Sequence, residues 1–264
     1  MSEPQPPSVP RPTQAHPTAE SYGPEYYREH LGLDKLRRFS VAWWSIRFYS
    51  RLAARLLRRS GGHRILEVGC GHGFILALLE SRFETYGLDL SSYAVERARA
   101  QAPRSRIFRA DISSEVPPEI EQQSFDLILA RYVLEHIPDP GNALARMASR
   151  LSSGGRLLYS VPDSTSPGRR LKKEDWFGYR DETHVSLLPP ERWLELTRQS
   201  GLSVERRFSD GLWDIPYVRG FPNWVQYGLF SVPTIISVAL AWTFIPAGWG
   251  ENLIVIARRS REPR

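Results

Sequence analysis

One stretch restricts this chain more than any other: Ile65-Leu66-Glu67-Val68-Gly69-Cys70-Gly71-His72-Gly73, followed by Phe74-Ile75-Leu76-Ala77-Leu78-Leu79. A short run of Ile, Leu and Val reads as a buried strand, and the apolar positions after Gly73 recur at helical spacing. The glycines between them lack Cβ atoms, so a ligand can press on bare backbone beside the first turn of a helix. This is a strand–turn–helix unit of the nucleotide-binding kind. A second apolar strand, Thr85–Leu90, carries Asp89 about twenty residues on, where an α/β nucleotide fold sets the carboxylate that holds two ribose hydroxyls. The spacing is Gly69-x-Gly71-x-Gly73, preceded by Glu67. It is not the dinucleotide pattern, because Phe74 stands where that pattern needs its third glycine.

Strands and helices go on alternating. Ser91 or Ser92 suits the N-cap of a helix through Ala94, Val95, Ala98 and Ala102. Ile107–Ile112 reads as a third strand ending at Asp111, and Ser124–Ala130 as a fourth, nearly continuous apolar one. A helix over Asn142–Leu151 leads through Gly154-Gly155 to a fifth strand, Arg156–Val161. The aromatic loop Trp176–His184 follows that strand. Pro189-Pro190-Glu191 then opens a helix whose face Trp193, Leu194, Leu196 and Thr197 ends at Gly201, a C′ glycine. Val204–Phe208 and Asn252–Ala257 read as the last two strands. Such alternation specifies an α/β, doubly wound sheet with its ligand crevice at the carboxyl ends of the strands.

The run Glu67-Val68-Gly69-Cys70-Gly71-His72-Gly73 with Asp89 resembles motif I and the ribose acid of the class I S-adenosylmethionine-dependent methyltransferases, in their small-molecule, type 11 or type 23-like form. The segment from Phe125-Asp126 through Leu134-Glu135-His136 and Asp139-Pro140 to the Gly154-Gly155 strand is similar to that family's later motifs. The resemblance implies a seven-stranded Rossmann-like methyltransferase sheet with an antiparallel last strand. It implies S-adenosyl-L-methionine as the cofactor and methyl transfer to a small-molecule acceptor, at oxygen. Cofactor-binding roles are implied for Glu67, Gly69, Cys70, Gly71, Gly73, Asp89, Leu90, Asp111, Ile112 and Arg131, with Asp111 and Ile112 flanking the adenine. Tyr26 and Tyr27 match the aromatic segment that closes over the methionine end in such enzymes. After the fourth strand, Ala130-Arg131-Tyr132-Val133 replaces the Asn/Asp-Pro-Pro-aromatic run of enzymes that methylate exocyclic base amines, so nucleic acid is not an expected substrate. A hydroxyl acceptor gains from a base within hydrogen-bond reach. His184 and His136 are the candidate catalytic residues, His184 first, because the family's Leu-Glu-His histidine is mostly structural. No metal is expected.

At 264 residues and 41% hydrophobic content the chain suits one α/β domain with elaborations. The net charge of +6 comes from scattered basic residues and gives no strong sign of a nucleic-acid surface. A single cysteine allows no disulfide or zinc framework within the chain and suits a reducing, cytoplasmic setting. Residues 1–21 read as a disordered Pro-rich tail without the apolar core of a signal or transit peptide. Residues 22–60 form an expected N-terminal helical cap, with a helix from Asp34 or Lys35 to about Arg59 that aligns Leu36, Phe39, Trp43, Ile46, Tyr49, Leu52, Ala53 and Leu56. Residues 61–264 form the methyltransferase domain, with an apolar lid insertion over about 211–249.

That insertion is uncharged from Gly220 to Gly250, and Leu229–Ile245 approaches the length of a membrane span. An antiparallel final strand pair and the prolines Pro233 and Pro246 oppose a crossing. A lid is therefore expected, with peripheral membrane contact through 229–247 as its rival, although the segment has no Lys/Arg-rich face of its own. Three functional readings stand: a small-molecule methyltransferase, a membrane-associated one acting on a lipid or isoprenoid acceptor, and a cofactor-binding protein without catalysis. The complete motif set speaks against the third.

Overall fold

In the computed structural model, which describes residues 17–29, 36–240 and 243–259, the strands join one seven-stranded sheet. These are β1 (Arg64–Val68), β2 (Glu84–Asp89), β3 (Arg106–Arg109), β4 (Phe125–Arg131), β5 (Leu151–Pro162), β6 (Leu202–Phe208) and β7 (Asn252–Arg259). Their order is β3-β2-β1-β4-β5-β7-β6. Neighbours are parallel as far as β5, and β7 runs antiparallel to both β5 and β6. The doubly wound Rossmann-like sheet with an antiparallel last strand is thus as expected.

In chain order the first helices are α1 (Pro24–Glu29), α2 (Val41–Ser60), α3 (Phe74–Leu79), α4 (Ser92–Gln101), α5 (Pro118–Glu121) and α6 (Pro140–Ser149). They are followed by α7 (Pro167–Lys172), α8 (Phe177–Arg180), α9 (Pro190–Gln199), α10 (Asn223–Gln226) and α11 (Val232–Leu240). Side chains alternate along each strand, so both faces of the sheet are apolar and both need cover. Leu66, Val68, Ile128 and Ala130 share one core with Leu144 and Met147 of α6 and Trp193 of α9. Ile65, Leu127 and Leu129 share the opposite core with Ile46, Tyr49, Leu52 and Leu57 of α2.

The N-terminal third differs from expectation in three ways. Of the tail expected to be disordered, residues 1–16 lie outside the described residues, while Ala19–Tyr22 forms a turn of 3-10 helix. The predicted helix start at Asp34 or Lys35 also falls outside them. The helix begins at Val41, where the Ser40 hydroxyl accepts the Trp43 amide at 3.2 Å and caps the first turn. Phe39 therefore precedes the helix, at φ +66°, and is exposed instead of joining the apolar face.

The insertion departs further. Helix α11, joined to α10 through a π-turn at Tyr227–Ser231, leans on α2, and its Val238 enters the same core as α2. Among the described residues, none of 229–247 lines the cavity described next. Of the 211–249 range expected as a lid, Trp213 alone among the described residues lines the cavity. No helix of the described residues is long and apolar enough to cross a membrane.

Candidate active site

The sheet order reverses between β1 and β4, and the register puts the ends of three strands level. Val68 pairs with Leu88 on one side and with Ala130 on the other. Gly69, Asp89 and Arg131, each one residue further on, therefore meet at the switch point, where an open α/β sheet leaves a crevice. A cavity of about 790 Å³ opens there. At one end Gly69, Asp89, Leu90, Asp111 and Ile112 line it. At the other stand Glu135, His136, Asp181 and His184, with Arg131 and the rings of Tyr22, Tyr26 and Tyr27 also in the wall.

The glycine turn is built on left-handed backbone, with φ +65° at Gly69, +52° at Gly71 and +75° at Gly73. A Cβ at Gly69 would lie 2.2 Å from Val133 Cγ2, and one at Gly73 would lie 3.0 Å from Ala98. Asp89 ties the turn to the next strand: its Oδ2 accepts the Gly71 amide at 2.8 Å and its Oδ1 the Ser91 amide at 2.9 Å. Burial pushes the Asp89 carboxyl up, and these amide bonds pull it part of the way back.

Four expected cofactor residues stand apart from the cavity wall. The Cys70 side chain packs into a small core with Leu76, Val95 and Ala98 and does not line the cavity. Glu67 lies beneath the turn, buried, where desolvation pushes its carboxyl up to about 8 against the pull of the Arg131 guanidinium. Gly71 faces the Tyr27 ring, whose Cε1 would be 3.6 Å from an added Cβ. Gly73 is the N-cap of α3. The covering tyrosine comes from α1: Tyr27 stacks on His72 with ring centroids 4.7 Å apart, and the Ser91 hydroxyl donates to the Tyr22 carbonyl at 2.6 Å. Asp111 and Ile112 do reach the cavity, Asp111 with its Oδ1 accepting the Ser113 amide at 2.8 Å.

The polar end is assembled by three segments. Glu135 and His136 leave β4 on a turn of 3-10 helix, Leu134–His136. The Glu135 carbonyl accepts the Val185 and Ser186 amides at 2.9 and 2.8 Å and so docks the His184 loop against that turn. The two imidazoles lie 4.7 Å apart, centroid to centroid. His184 Nδ1 is 2.8 Å from the Gly178 carbonyl and donates to it, and His184 Nε2 is 3.7 Å from Asp181 Oδ2. His136 Nδ1 is 2.9 Å from the Thr183 hydroxyl. Burial works against ionisation of Asp181, but the charges of His184 and His136 and its bonds from Thr183 outweigh it, so its carboxyl lies below the usual range. Tyr26 donates to Asp181 Oδ2 at 3.0 Å and joins α1 to this group.

Sequence reading gave no site role to Glu135 or Asp181. Glu135 is fully buried, neither of its oxygens has a hydrogen-bond partner among the described residues, and burial pushes its carboxyl up to about 8. Its place in the Leu-Glu-His run was the available signal. Asp181 carried none, because its partners lie on other elements. Among the described residues, Glu135, His136 and His184 offer ligand atoms within 4.8 Å of one another, a set that could take a metal ion as well as a polar acceptor.

A second buried network holds the aromatic loop in place. Glu251, at the entry to β7, accepts Trp176 Nε1 at 2.7 Å and the Tyr217 hydroxyl, and Lys172 and Arg180 both pair with Asp214 at 2.7 Å. The sheet end, the loop before His184 and the start of the insertion are therefore bolted together.

Comparison with known proteins agrees with this geometry. A family model described as a methyltransferase domain matches residues 41–206. A trans-aconitate 2-methyltransferase of Methylobacterium radiotolerans is 34% identical over 50% of this chain and 55% of its own length. A ubiquinone biosynthesis O-methyltransferase of Alkalilimnicola ehrlichii is 33% identical over 38% and 42%. The chain thus spans about half the length of these curated relatives. Magnesium protoporphyrin IX methyltransferase from Synechocystis, solved with bound S-adenosylhomocysteine, superposes with a TM-score of 0.57 at 16% identity, over 89% of this chain and 97% of that one. An N-methyltransferase of Bradyrhizobium japonicum, also a complex with S-adenosylhomocysteine, gives 0.56 at 18% identity over 89% and 97%. On sheet order, turn geometry and the match over 41–206, this chain belongs to the methyltransferase-domain family of the class I, S-adenosylmethionine-dependent kind.

Proposed function

We propose that the protein transfers a methyl group from S-adenosyl-L-methionine to an oxygen of a small-molecule acceptor. One observation carries this reading: a nucleotide-type end and a titratable end face each other across a single cavity of about 790 Å³. The residues fit the cofactor. Asp89 offers acceptor lone pairs for ribose hydroxyls at the foot of the turn, Asp111 and Ile112 offer a carboxylate and an apolar plate for the adenine, and Gly69 leaves backbone bare. Bound there, S-adenosylmethionine supplies an electrophilic methyl on a sulfonium.

The protein's own part is to align the acceptor, exclude water and receive a proton. His184 donates from Nδ1 to the Gly178 carbonyl, so its Nε2 is the basic nitrogen. The ionised Asp181 beside it stabilises the imidazolium that forms as the acceptor hydroxyl is deprotonated. His136 bounds the same end and orients the acceptor. A lipid or isoprenoid acceptor is a second reading, favoured by the exposed apolar surface over 218–249.

Calorimetry with S-adenosylmethionine and S-adenosylhomocysteine tests the cofactor site, and mass analysis of host extract incubated with labelled cofactor tests the acceptor. Wild-type protein is expected to bind both compounds, and Asp89→Ala to bind neither while staying folded. His184→Gln is expected to keep cofactor affinity and lose roughly a hundredfold or more in turnover. Folded wild-type protein that binds neither compound would overturn the assignment. An N-methylated product would move the acceptor atom from oxygen to nitrogen.

A further inference from the structure

Eleven of the fifteen exposed large apolar side chains among the described residues fall between Val218 and Trp249. Single exposed apolar residues need no explanation, but a contiguous face of them does. Along α10, the π-turn and α11 the usual helix pattern is reversed. Gln226, Ser231 and Ser237 are buried, whereas Trp224 is 78%, Leu229 64% and Leu240 56% exposed. Gln226 is engaged inside: its carbonyl accepts the Tyr217 and Val218 amides at 2.7 and 3.0 Å, and its NH₂ donates to the Val218 and Phe221 carbonyls at 3.0 and 2.9 Å. A surface helix in water turns its apolar stripe to the core. This one buries Val238 but turns Gln226, Ser231 and Ser237 inward as well and leaves most of its large apolar side chains outward, which suits an apolar surrounding.

The segment itself is uncharged from Gly220 to Gly250, but the helix packed beside α11, α2, supplies charge of one sign. Helix α2 carries Arg47, Arg51, Arg55, Arg58 and Arg59 and no acid. Arg51 and Arg55 donate to the Ala239 and Leu240 carbonyls at 2.8 and 3.3 Å, closing the carboxyl end of α11. On the far side Arg206 donates to the Thr243 carbonyl at 3.0 Å, next to the exposed Phe244. Cations thus stand along the edge of an apolar face. The basic flank that an interfacial helix normally carries on its own polar side is provided here by a different helix.

We propose that this face, Val218–Trp249 with the arginines of α2, docks on an anionic phospholipid bilayer, with apolar side chains among the acyl chains and guanidinium groups at the phosphates. The attachment is monotopic, since no helix of the described residues can cross. It does not depend on the identity of the acceptor. Docking also accounts for a segment of this composition that packs on α2 and stays clear of the cavity.

Co-sedimentation of the full chain with vesicles tests it, using phosphatidylcholine alone and phosphatidylcholine with about equal phosphatidylglycerol. Wild-type protein is expected to pellet with the anionic vesicles, far less with the neutral ones, and less as salt rises. A triple variant, Trp224→Ser with Ile236→Ser and Leu240→Ser, changes exposed residues only and is expected to lose binding by about tenfold or more. Arg58→Gln with Arg59→Gln is expected to weaken anionic binding and leave the weak neutral binding unchanged. Cofactor titration of the same variants shows that they are folded and keeps this result separate from the cofactor assignment. Wild-type protein that stays in the supernatant, or a triple variant that pellets as well as wild type, overturns the proposal. So does a wild-type dimer in sedimentation velocity that the triple variant dissociates, because a second copy would then be the occupant.

Discussion

Glu67, Glu135 and Asp210 are acids that folding removes from water. Burial pushes Glu67 and Glu135 up to about 8 and Asp210 up to about 7. In the unfolded chain each ionises near its ordinary value, about 4. Between those limits the native state holds protons that the unfolded state has released. The stability these groups allow is therefore complete below about pH 4 and is lost as pH rises toward 8, roughly 5 kcal/mol for each glutamate. Melting of the free protein should fall by several degrees from about pH 6 to about pH 8.5. Glu67→Gln should flatten part of that slope and be the more stable protein at the alkaline end. A melting temperature that is flat or rises over this range contradicts the burial argument. At this scale the sequence was legible where a residue's neighbours in the chain set its role. Gly69, Asp89, Asp111 and Ile112 sit at strand ends whose register follows from the strands themselves. That the Cys70 side chain packs inward was not legible, because the direction of a side chain within a left-handed turn does not follow from spacing. Asp181 was missed because its histidines arrive from elsewhere in the fold.

Among the elements, the glycine turn between β1 and α3 is closely packed, with Gly69 against Val133 and Gly73 against Ala98. Two positive-φ glycines separate its conformational demand from its steric one. Gly201, φ +82°, has nothing within 4 Å of an added Cβ, whereas Gly69, φ +65°, would meet Val133 at 2.2 Å. Gly201→Ala should cost about 1 kcal/mol, the left-handed penalty alone, and Gly69→Ala roughly 3 kcal/mol or more, because Val133 must also move. Urea unfolding of the two variants measures the difference; equal losses would mean that the turn relaxes freely. The strands were readable as apolar runs closed by Gly, Pro or Asp, and α4 and α9 by their caps. The short α5, α7 and α8 were not, since their four to six residues carry no apolar spacing of the kind that marks α3. Helix α11 was recognised as apolar, but its orientation was not. An apolar face can turn toward a core or away from one, and only the buried Gln226, Ser231 and Ser237 decide which.

Across the whole molecule the two cores do different work. One helix layer, α6 and α9, stiffens the sheet beneath the site, while the other, α2 with α11, meets the surroundings. The insertion belongs to the second layer: its Val238 packs into the core of α2, a placement that its length and composition did not specify. The cover over the site comes from the chain's beginning. The arm of residues 17–29 is fastened by Tyr22 to Ser91, by Tyr26 to Asp181 and by Tyr27 on His72, and Tyr27 stands against Gly71. A cofactor arriving at the turn finds a tyrosine there first. Its arrival is then a queue with two stages, an opening whose frequency the protein sets and a capture that depends on concentration. In stopped-flow experiments the observed association rate should climb with cofactor and then level off at the opening frequency. Tyr26→Phe, with one fastening gone, should level off higher; a rate that stays linear to saturating cofactor would mean that the arm yields without delaying entry.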